Sequence, residues 1–301
     1  MIRRGWLGRL GAHLAIGLLW LLHWLPLPLL AAVGQGLGAL LWWLGRSRQK
    51  VALRNLELCF PEWDEPQRRR VARAHFGWLG RSLLERGLLW YASPARLARL
   101  VHTTGDVGLA DRTPGAMMWL LPHFAGLEWM MPGMTFAQKR RGFVIYQRQR
   151  NPTFEAALKA GRDRLGGATF IDRHAGIRPI LRAVRDGYAY INALDMDFGP
   201  KDSAFVPFFG VPAATLLSPG RMAHDLAMTV QPIEVTMLPG GQGYRVHCHD
   251  PIPGYGSGDA LADAQAFNAW LEARIRAQPE QYLWVHRRFK TRPPGQASVY
   301  R

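Results

Sequence analysis

From Leu10 to Gly45 the chain carries no Asp, Glu, Lys or Arg. That run is longer than the ~20 apolar residues a membrane-spanning helix needs. Pro26 and Pro28 divide it into Leu10–Leu25 and Leu29–Leu44. Trp6, Trp20, Trp24, Trp42 and Trp43 gather towards the ends of the segments, as interfacial anchors do. Arg3, Arg4 and Arg9 precede the run, and Arg46, Arg48, Lys50 and Arg54 follow it. Three arrangements compete: a single tilted or kinked span, a hairpin-like monotopic insertion with both basic flanks on the cytoplasmic side, and a cleaved signal peptide. The last fits least, because Ala31-Ala32-Val33 is a poor cleavage site and the apolar run continues beyond it. Residues 1–48 are therefore expected to form an N-terminal apolar helical membrane anchor, and residues 49–301 one further domain.

After a connector from Lys50 to Phe60, Pro66 opens a long helix reaching about Tyr91, with apolar positions at roughly helical spacing. Its Arg68-Arg69-Arg70 and Arg73 form either a solvated face or a contact with membrane phosphates. From Pro94 onward apolar runs alternate with amphipathic ones. Met117–Leu121, Gly142–Tyr146, Thr169–Ile171, Tyr188–Leu194, Met228–Met237 and Tyr244–His249 read as strands. Asn151–Leu165, His174–Arg185, Ser218–Leu226 and Asp259–Gln278 read as helices. Pro232 makes the fifth strand an edge strand or a shorter one. The alternation predicts an α/β domain with a mixed sheet flanked by helices.

The stretch Ala116–Trp129 carries the chemistry. Ala116–Leu121 suits a strand buried on both faces, and Pro122 ends it. His123 then stands where the chain leaves the sheet, the point at which open α/β sheets bind ligands. Phe124 to Met131 can start a helix, stopped by Pro132 and Gly133. A helical turn would let Glu128 reach back to one nitrogen of His123, leaving the other as a general base. Taken alone, one His and one Glu at this spacing are weak evidence.

Other segments add to it. Asp195 and Asp197, in Asp195-Met196-Asp197-Phe198-Gly199-Pro200, fall at the end of another central strand and can bind a metal, orient a cation or cap a turn. Phe205, Phe208 and Phe209 lie in a segment too apolar for an ordinary surface loop, suited to core packing, an acyl pocket or the membrane interface. Arg221 occupies the first turn of the next helix. His286, Arg287 and Arg288 end a short apolar strand and make either an anion site or a basic tail. His247 and His249 share a strand face without further cysteines nearby, so a structural zinc site is not expected. A metal-dependent hydrolase built on His123, Asp195 and Asp197 is the competing enzyme class. The formal charge of +16 favours anionic partners. Apolar strands stand where a nucleic-acid-binding protein would carry basic recognition helices, so no nucleic acid is expected.

In order along the chain, these pieces resemble the late acyltransferases of lipid A biosynthesis, the lauroyl/myristoyl acyltransferase family of Gram-negative bacteria. That family lies within the lysophospholipid acyltransferase-like superfamily. The resemblance runs from the anchor to about Arg292. It is carried by Asn55-Leu56 to Cys59-Phe60-Pro61-Glu62, His123-x4-Glu128, Asn151-Pro152, Asp195-x-Asp197-Phe198-Gly199-Pro200, Phe205-Val206-Pro207-Phe208-Phe209 and Pro279-Glu280-Gln281-Tyr282-x-Trp284-x-His286-Arg287-Arg288-Phe289. It implies a glycerolipid acyltransferase-like fold and transfer of a fatty acyl chain from an acyl-carrier-protein thioester to a hydroxyl of a lipid A precursor. His123 would take the hydroxyl proton, and Glu128 would hold and charge-stabilise the imidazolium. Substrate-binding residues would come from Arg148, Arg150, Arg173, Asp195, Asp197, Arg221, His286, Arg287 and Arg288, and the acyl pocket from Phe205, Phe208 and Phe209. No cofactor or metal is implied. The partners would be the acyl carrier protein, the lipid A precursor and phospholipids of the inner membrane, with the active site facing the cytoplasm. Gln147 departs from the family, which often has Arg there, so Arg148, Arg150 and Arg173 compete for the substrate phosphate. The alternative is an acyltransferase of the same architecture acting on a lysophospholipid, glycolipid or lipoamino acid.

Overall fold

A computed structural model describes residues 2–300, with side chains from residue 8 onward. The apolar N-terminus forms two helices, α1 (Ile2–Leu22) and α2 (Leu27–Leu44), broken at Pro26. The segment expected to be a connector is helix α3 (Arg46–Cys59), burying Val51, Ala52, Asn55, Leu56 and Cys59 on one face. Next comes α4 (Glu65–Tyr91), capped by Asp64, whose carboxylate accepts from Gln67 N at 2.7 Å.

α2 lies along α4 through glycines. A Cβ on Gly38 would meet the Phe76 carbonyl oxygen at 2.2 Å and Gly77 Cα at 2.5 Å. One on Gly34 would meet Arg81 Cα at 2.7 Å. The backbones approach this closely because α2 carries no side chain at Gly34 and Gly38. Among the described residues α2 is the one helix long and apolar enough to cross a membrane. One face (Leu27, Leu30, Ala31, Trp42) is nevertheless buried in the protein. The opposite face leaves Leu29, Val33, Leu40, Trp43 and Leu44 exposed, continuing onto Leu14 and Leu18 of α1 and Trp24 in the turn after it. Leu19, Leu27 and Leu30 belong to the same core as Met117 and Trp119 of the sheet. Charge returns to the chain at Arg46.

The remaining helices are α5 (Pro94–Leu100), α6 (Leu109–Arg112), α7 (Met130–Ala137), α8 (Pro152–Asp163), α9 (Ile177–Arg185), α10 (Ser218–Asp225) and α11 (Ala260–Ala277). The strands are β1 (Val101–Gly105), β2 (Met117–Leu120), β3 (Gly142–Tyr146), β4 (Ala168–Asp172), β5 (Ala189–Asn192), β6 (Ser203–Phe208), β7 (Val211–Leu216), β8 (Thr229–Met237) and β9 (Tyr244–Cys248). Seven strands form one mixed sheet in the order β1-β9-β8-β2-β5-β3-β4, with β8–β9 its antiparallel pair. Strand alternation splits the core in two. Met117 and Trp119 of β2 join α4, α7 and α8 on one face, while Met118 and Leu120 join α3, α9 and α11 on the other. The expected α/β sheet flanked by helices is present.

Two local expectations are corrected. β8 is interior, between β2 and β9. It pairs with β2 over Thr229–Pro232 and with β9 from Ile233 onward. Pro232 O accepts from His249 N at 3.0 Å, so the missing N–H faces β9 at the end of that ladder, where only the return bond to His249 is given up. Pro132 and Gly133 do not stop a helix but lie inside α7, with Pro132 in its first turn, where a helix needs no N–H. Ser203–Leu216 is an antiparallel hairpin, turning at Phe209 (φ 50°) and Gly210 (φ 73°).

Candidate active site

Register places the site. In the parallel pair β2–β5, Leu120 stands opposite Asn192, and Leu121 N donates to Asn192 O at 2.9 Å. His123 is three residues beyond Leu120, and Asp195 three beyond Asn192. Both chains leave the carboxyl edge of the sheet together and meet there. His123 Nδ1 lies 2.6 Å from Asp195 Oδ1, and His123 N donates to Asp195 Oδ2 at 2.8 Å. Behind them Leu283 N donates to His123 O at 3.0 Å, and Phe124 bridges to Tyr282. The Asp195 side chain is fully buried, whereas the ring of His123 stays 22% exposed. Nε2 has no protein partner among the described residues and is the nitrogen left for a ligand.

This corrects the expected pairing. Glu128 does not reach the imidazole. The chain after His123 makes a turn and a short 3-10 segment, Leu127–Trp129, in place of a full α-helical turn. The carboxylate is thereby directed to α8 and α4. Arg162 grips it with Nε at 3.0 Å and with Nη2, and Arg86 Nη2 approaches to 3.9 Å. Glu128 acts on the ring through space. Burial disfavours charge on His123, but the Asp195 carboxylate, its hydrogen bond and the Glu128 charge outweigh it, so the ring titrates above its ordinary value. Burial would likewise raise the Glu128 and Asp195 acids. Arg162 and Arg86 hold the first below its usual range, and His123 the second.

The other expected site residues separate into groups. Arg148, Arg150 and Arg173 follow β3 and β4 at the same edge of the sheet. Arg148 Nε pairs with Asp172 at 2.9 Å, and Arg173 donates to Gln147 Oε1 at 2.9 Å. Arg148 and Arg150 line a cavity of about 590 Å³ between this loop and Gly8 and Ala12 of α1. Arg221 is paired with Asp202 at 2.5 Å, on the outside of the hairpin.

Three residues expected to bind substrate hold the chain together instead. Asp197 accepts from Gly199 N (2.9 Å), Thr291 N (2.6 Å) and Thr291 Oγ1 (2.8 Å), tying the 195–199 turn to the C-terminal loop. His286 accepts through Nε2 from Asp197 N at 3.0 Å. Burial pushes its pKa down to about 4, so it carries no charge near neutral pH. Arg288 is buried, donating to Ala214 O (2.7 Å) and Thr215 Oγ1 (3.0 Å) while its guanidinium lies over Phe208. It clamps the hairpin β6–β7 and does not face a substrate. Arg287, its neighbour, is exposed.

The expected acyl pocket is also corrected. Phe208 is fully buried among Phe209, Tyr282 and Phe289. Phe209 packs against Phe60, under Arg276. Phe208 and Phe209 thus pack against the protein's own rings, and Phe205 alone of the three is exposed. Sequence reasoning did not single out Arg86 or Arg162. The signal available was that a buried carboxylate near a base requires cations of its own.

A mixed sheet with a carboxylate-oriented imidazole at its carboxyl edge is an arrangement suited to acid–base chemistry, and among the described residues no side-chain nucleophile is bonded to the ring. Residues 3–291 match the family model of bacterial lipid A biosynthesis acyltransferases. The chain is 35% identical over 305 residues to the lipid A biosynthesis lauroyltransferase of Escherichia coli (strain K12), covering 99% of this chain and 95% of that one. It is 32% identical to the palmitoleoyltransferase of the same organism over 95% and 92% of the two chains. For the myristoyltransferase the identity is 29% over 91% and 84%. The protein belongs to this family and is an acyltransferase.

Proposed function

We propose that the enzyme moves a fatty acyl chain from an acyl-carrier-protein thioester to a hydroxyl of a lipid A precursor, with His123 as general base. The observation that carries the mechanism is the 2.6 Å contact of Asp195 with Nδ1, which leaves Nε2 facing the solvent side of the sheet edge. A proton on Nδ1 gives Nε2 the lone pair that accepts the hydroxyl proton. As that proton moves, the alcohol oxygen attacks the thioester carbonyl carbon. The tetrahedral intermediate collapses, the C–S bond breaks, and the departing thiolate takes the proton from imidazolium. Asp195 holds the ring, and Asp195 and Glu128 together stabilise its positive charge. No acyl-enzyme forms.

The exposed apolar faces of α1 and α2 would rest in the inner membrane, bringing the sheet edge to the depth of the acceptor. Arg148, Arg150 and Arg173 supply cations for an anionic headgroup beside α1. Family membership favours a lipid A precursor over a lysophospholipid, glycolipid or lipoamino acid. The test is purified enzyme with a defined precursor and a panel of acyl-carrier-protein thioesters, reading product masses. The expected result is a mass gain of one acyl group, lost in His123→Ala. Full activity of His123→Ala would overturn the mechanism, and acylation of a lysophospholipid alone would overturn the acceptor.

A further inference from the structure

On the far side of the loop that backs His123, a second cavity of about 580 Å³ opens between α3 and the C-terminal segment. Ser47, Lys50 and Arg54 enter it from one face of α3, and Arg287, Ser298 and Tyr300 from the opposite wall. Among the described residues no carboxylate side chain lines it. Arg54 shares its charge with Glu57 at 2.7 Å and donates to Val299 O, but Lys50 and Arg287 make no ion pair among the described residues. Unpaired cations facing one another across a concavity repel, and an anion seated between them relieves that repulsion. Three cations with serine hydroxyls in a recess suit a tetrahedral, multiply charged oxyanion better than the dispersed carboxylates of a protein surface.

The cavity is joined to the catalytic ring by structure. Leu283 N bonds His123 O, and Asn55 Nδ2 on α3 donates to Trp284 O and His286 O at 2.7 Å each, so four residues of fixed loop run from the ring's backbone to Arg287. Four residues span at most about 14 Å. α3 begins two residues after α2 ends, so the cavity also lies next to the helices with the exposed apolar face.

We propose that this cavity binds a phosphate monoester on the headgroup of the lipid acceptor, anchoring it while its hydroxyl reaches His123; this rests on the acceptor being a phosphorylated lipid. Full-length enzyme in detergent micelles is titrated with the acceptor and with acceptor from which each phosphate has been removed singly, using thermophoresis. Wild type should lose about tenfold or more in affinity for one of the two dephosphorylated forms, the loss expected of one charge-assisted contact. Lys50→Gln/Arg287→Gln should bind the intact acceptor no better than wild type binds that form, and Arg99→Gln should match wild type. Unchanged phosphate preference in the double variant overturns the site. So does equal weakening of binding to phosphatidylglycerol vesicles, which would make the ligand bulk membrane phosphate. A rise confined to the KM for the acyl-carrier thioester overturns it in favour of carrier docking. If the preference is lost as expected but wild type acylates no phosphorylated lipid, the site stands and the functional reading falls.

Discussion

Asp195→Asn separates the geometry found here from the pairing expected of His123 and Glu128. Asn is nearly isosteric, and its carbonyl oxygen can keep the 2.8 Å bond from His123 N. Its amide would then present N–H to Nδ1, where Asp195 now accepts at 2.6 Å. Nδ1 must become the acceptor, so the proton moves to Nε2, the atom that should take the proton of the alcohol. General-base catalysis contributes about 10²–10⁴-fold, and the wrong tautomer in a Ser-His-Asp triad costs about 10⁴ in kcat. A fall of about 10³-fold in kcat, roughly 4 kcal/mol of barrier, is the expectation. The pH profile supplies an independent reading. His123 must be neutral to act, so the acid limb of kcat/KM in wild type should lie above the free imidazole value, because Asp195 and Glu128 raise it against burial. Removing the Asp195 charge leaves burial in command, and the limb should move to lower pH. Steady-state assays from pH 5 to 9, with thermal midpoints to show that the fold survives, decide the matter. Activity within tenfold of wild type, or an acid limb that does not move, would refute the orienting role of Asp195.

Glu128→Gln should lower kcat by at least about tenfold and move the acid limb the same way by less. It should also lower the thermal midpoint, since breaking a buried ion pair costs about 3–5 kcal/mol and this pair is only partly exposed. Gly38→Ala should destabilise the protein by about 1–3 kcal/mol, because a Cβ would meet Phe76 O at 2.2 Å; thermal unfolding in detergent checks it. Arg288→Gln should lower the midpoint without raising the KM for acceptor, whereas Arg150→Gln should raise that KM and leave the midpoint alone. His75 is fully buried, and burial depresses its pKa from 6.5 to about 4. The unfolded chain therefore binds the extra proton first, and the stability His75 contributes is complete above pH 6.5 and lost as pH falls towards 4. The loss is about 3 kcal/mol for 2.5 pH units, and unfolding midpoints of wild type and His75→Asn between pH 7 and 4 should converge as it is lost.

The position of His123 was legible because an uninterrupted apolar run ended by Pro122 leaves few alternatives to a buried strand with its exit at the sheet edge. Its partner was harder to read. A five-residue spacing serves a His–Glu contact only through a helical turn, and the turn around Gly126 followed by a 3-10 segment spends that spacing differently. Asp195 was visible as a residue at a strand end, but pairing it with His123 required knowing that β2 and β5 are neighbours in register. The hairpin β6–β7 was hidden by its own hydrophobicity, although Phe209-Gly210 is a turn where two successive residues take positive φ. Helix α3 was missed because Asn55 interrupts its apolar face. That residue is buried all the same, its amide donating to two loop carbonyls and its oxygen accepting from Tyr300. Arg288 could not be assigned from sequence, since a long cationic chain looks alike whether it grips a substrate or the protein's own carbonyls.

α4 gives the apolar helices and the acid–base site a common frame. Its glycine face, Gly77 and Gly80, receives α2, and a Cβ on Gly80 would meet Gly34 O at 2.2 Å, so the two helices cannot slide apart and remain packed. Arg81, directly after Gly80, is fully buried against Glu85, which also accepts from Tyr244 Oη of β9 at 2.5 Å, fixing α4 to the sheet. The next residue, Arg86, approaches Glu128 at 3.9 Å. A displacement of α2 that tilted α4 would therefore reach the carboxylate whose charge helps raise the pKa of His123. Side chains this tightly packed transmit a shift rather than absorb it. The glycines of the apolar segment consequently matter for the proton affinity of the base as well as for the packing of the apolar helices, and a single helix links the two.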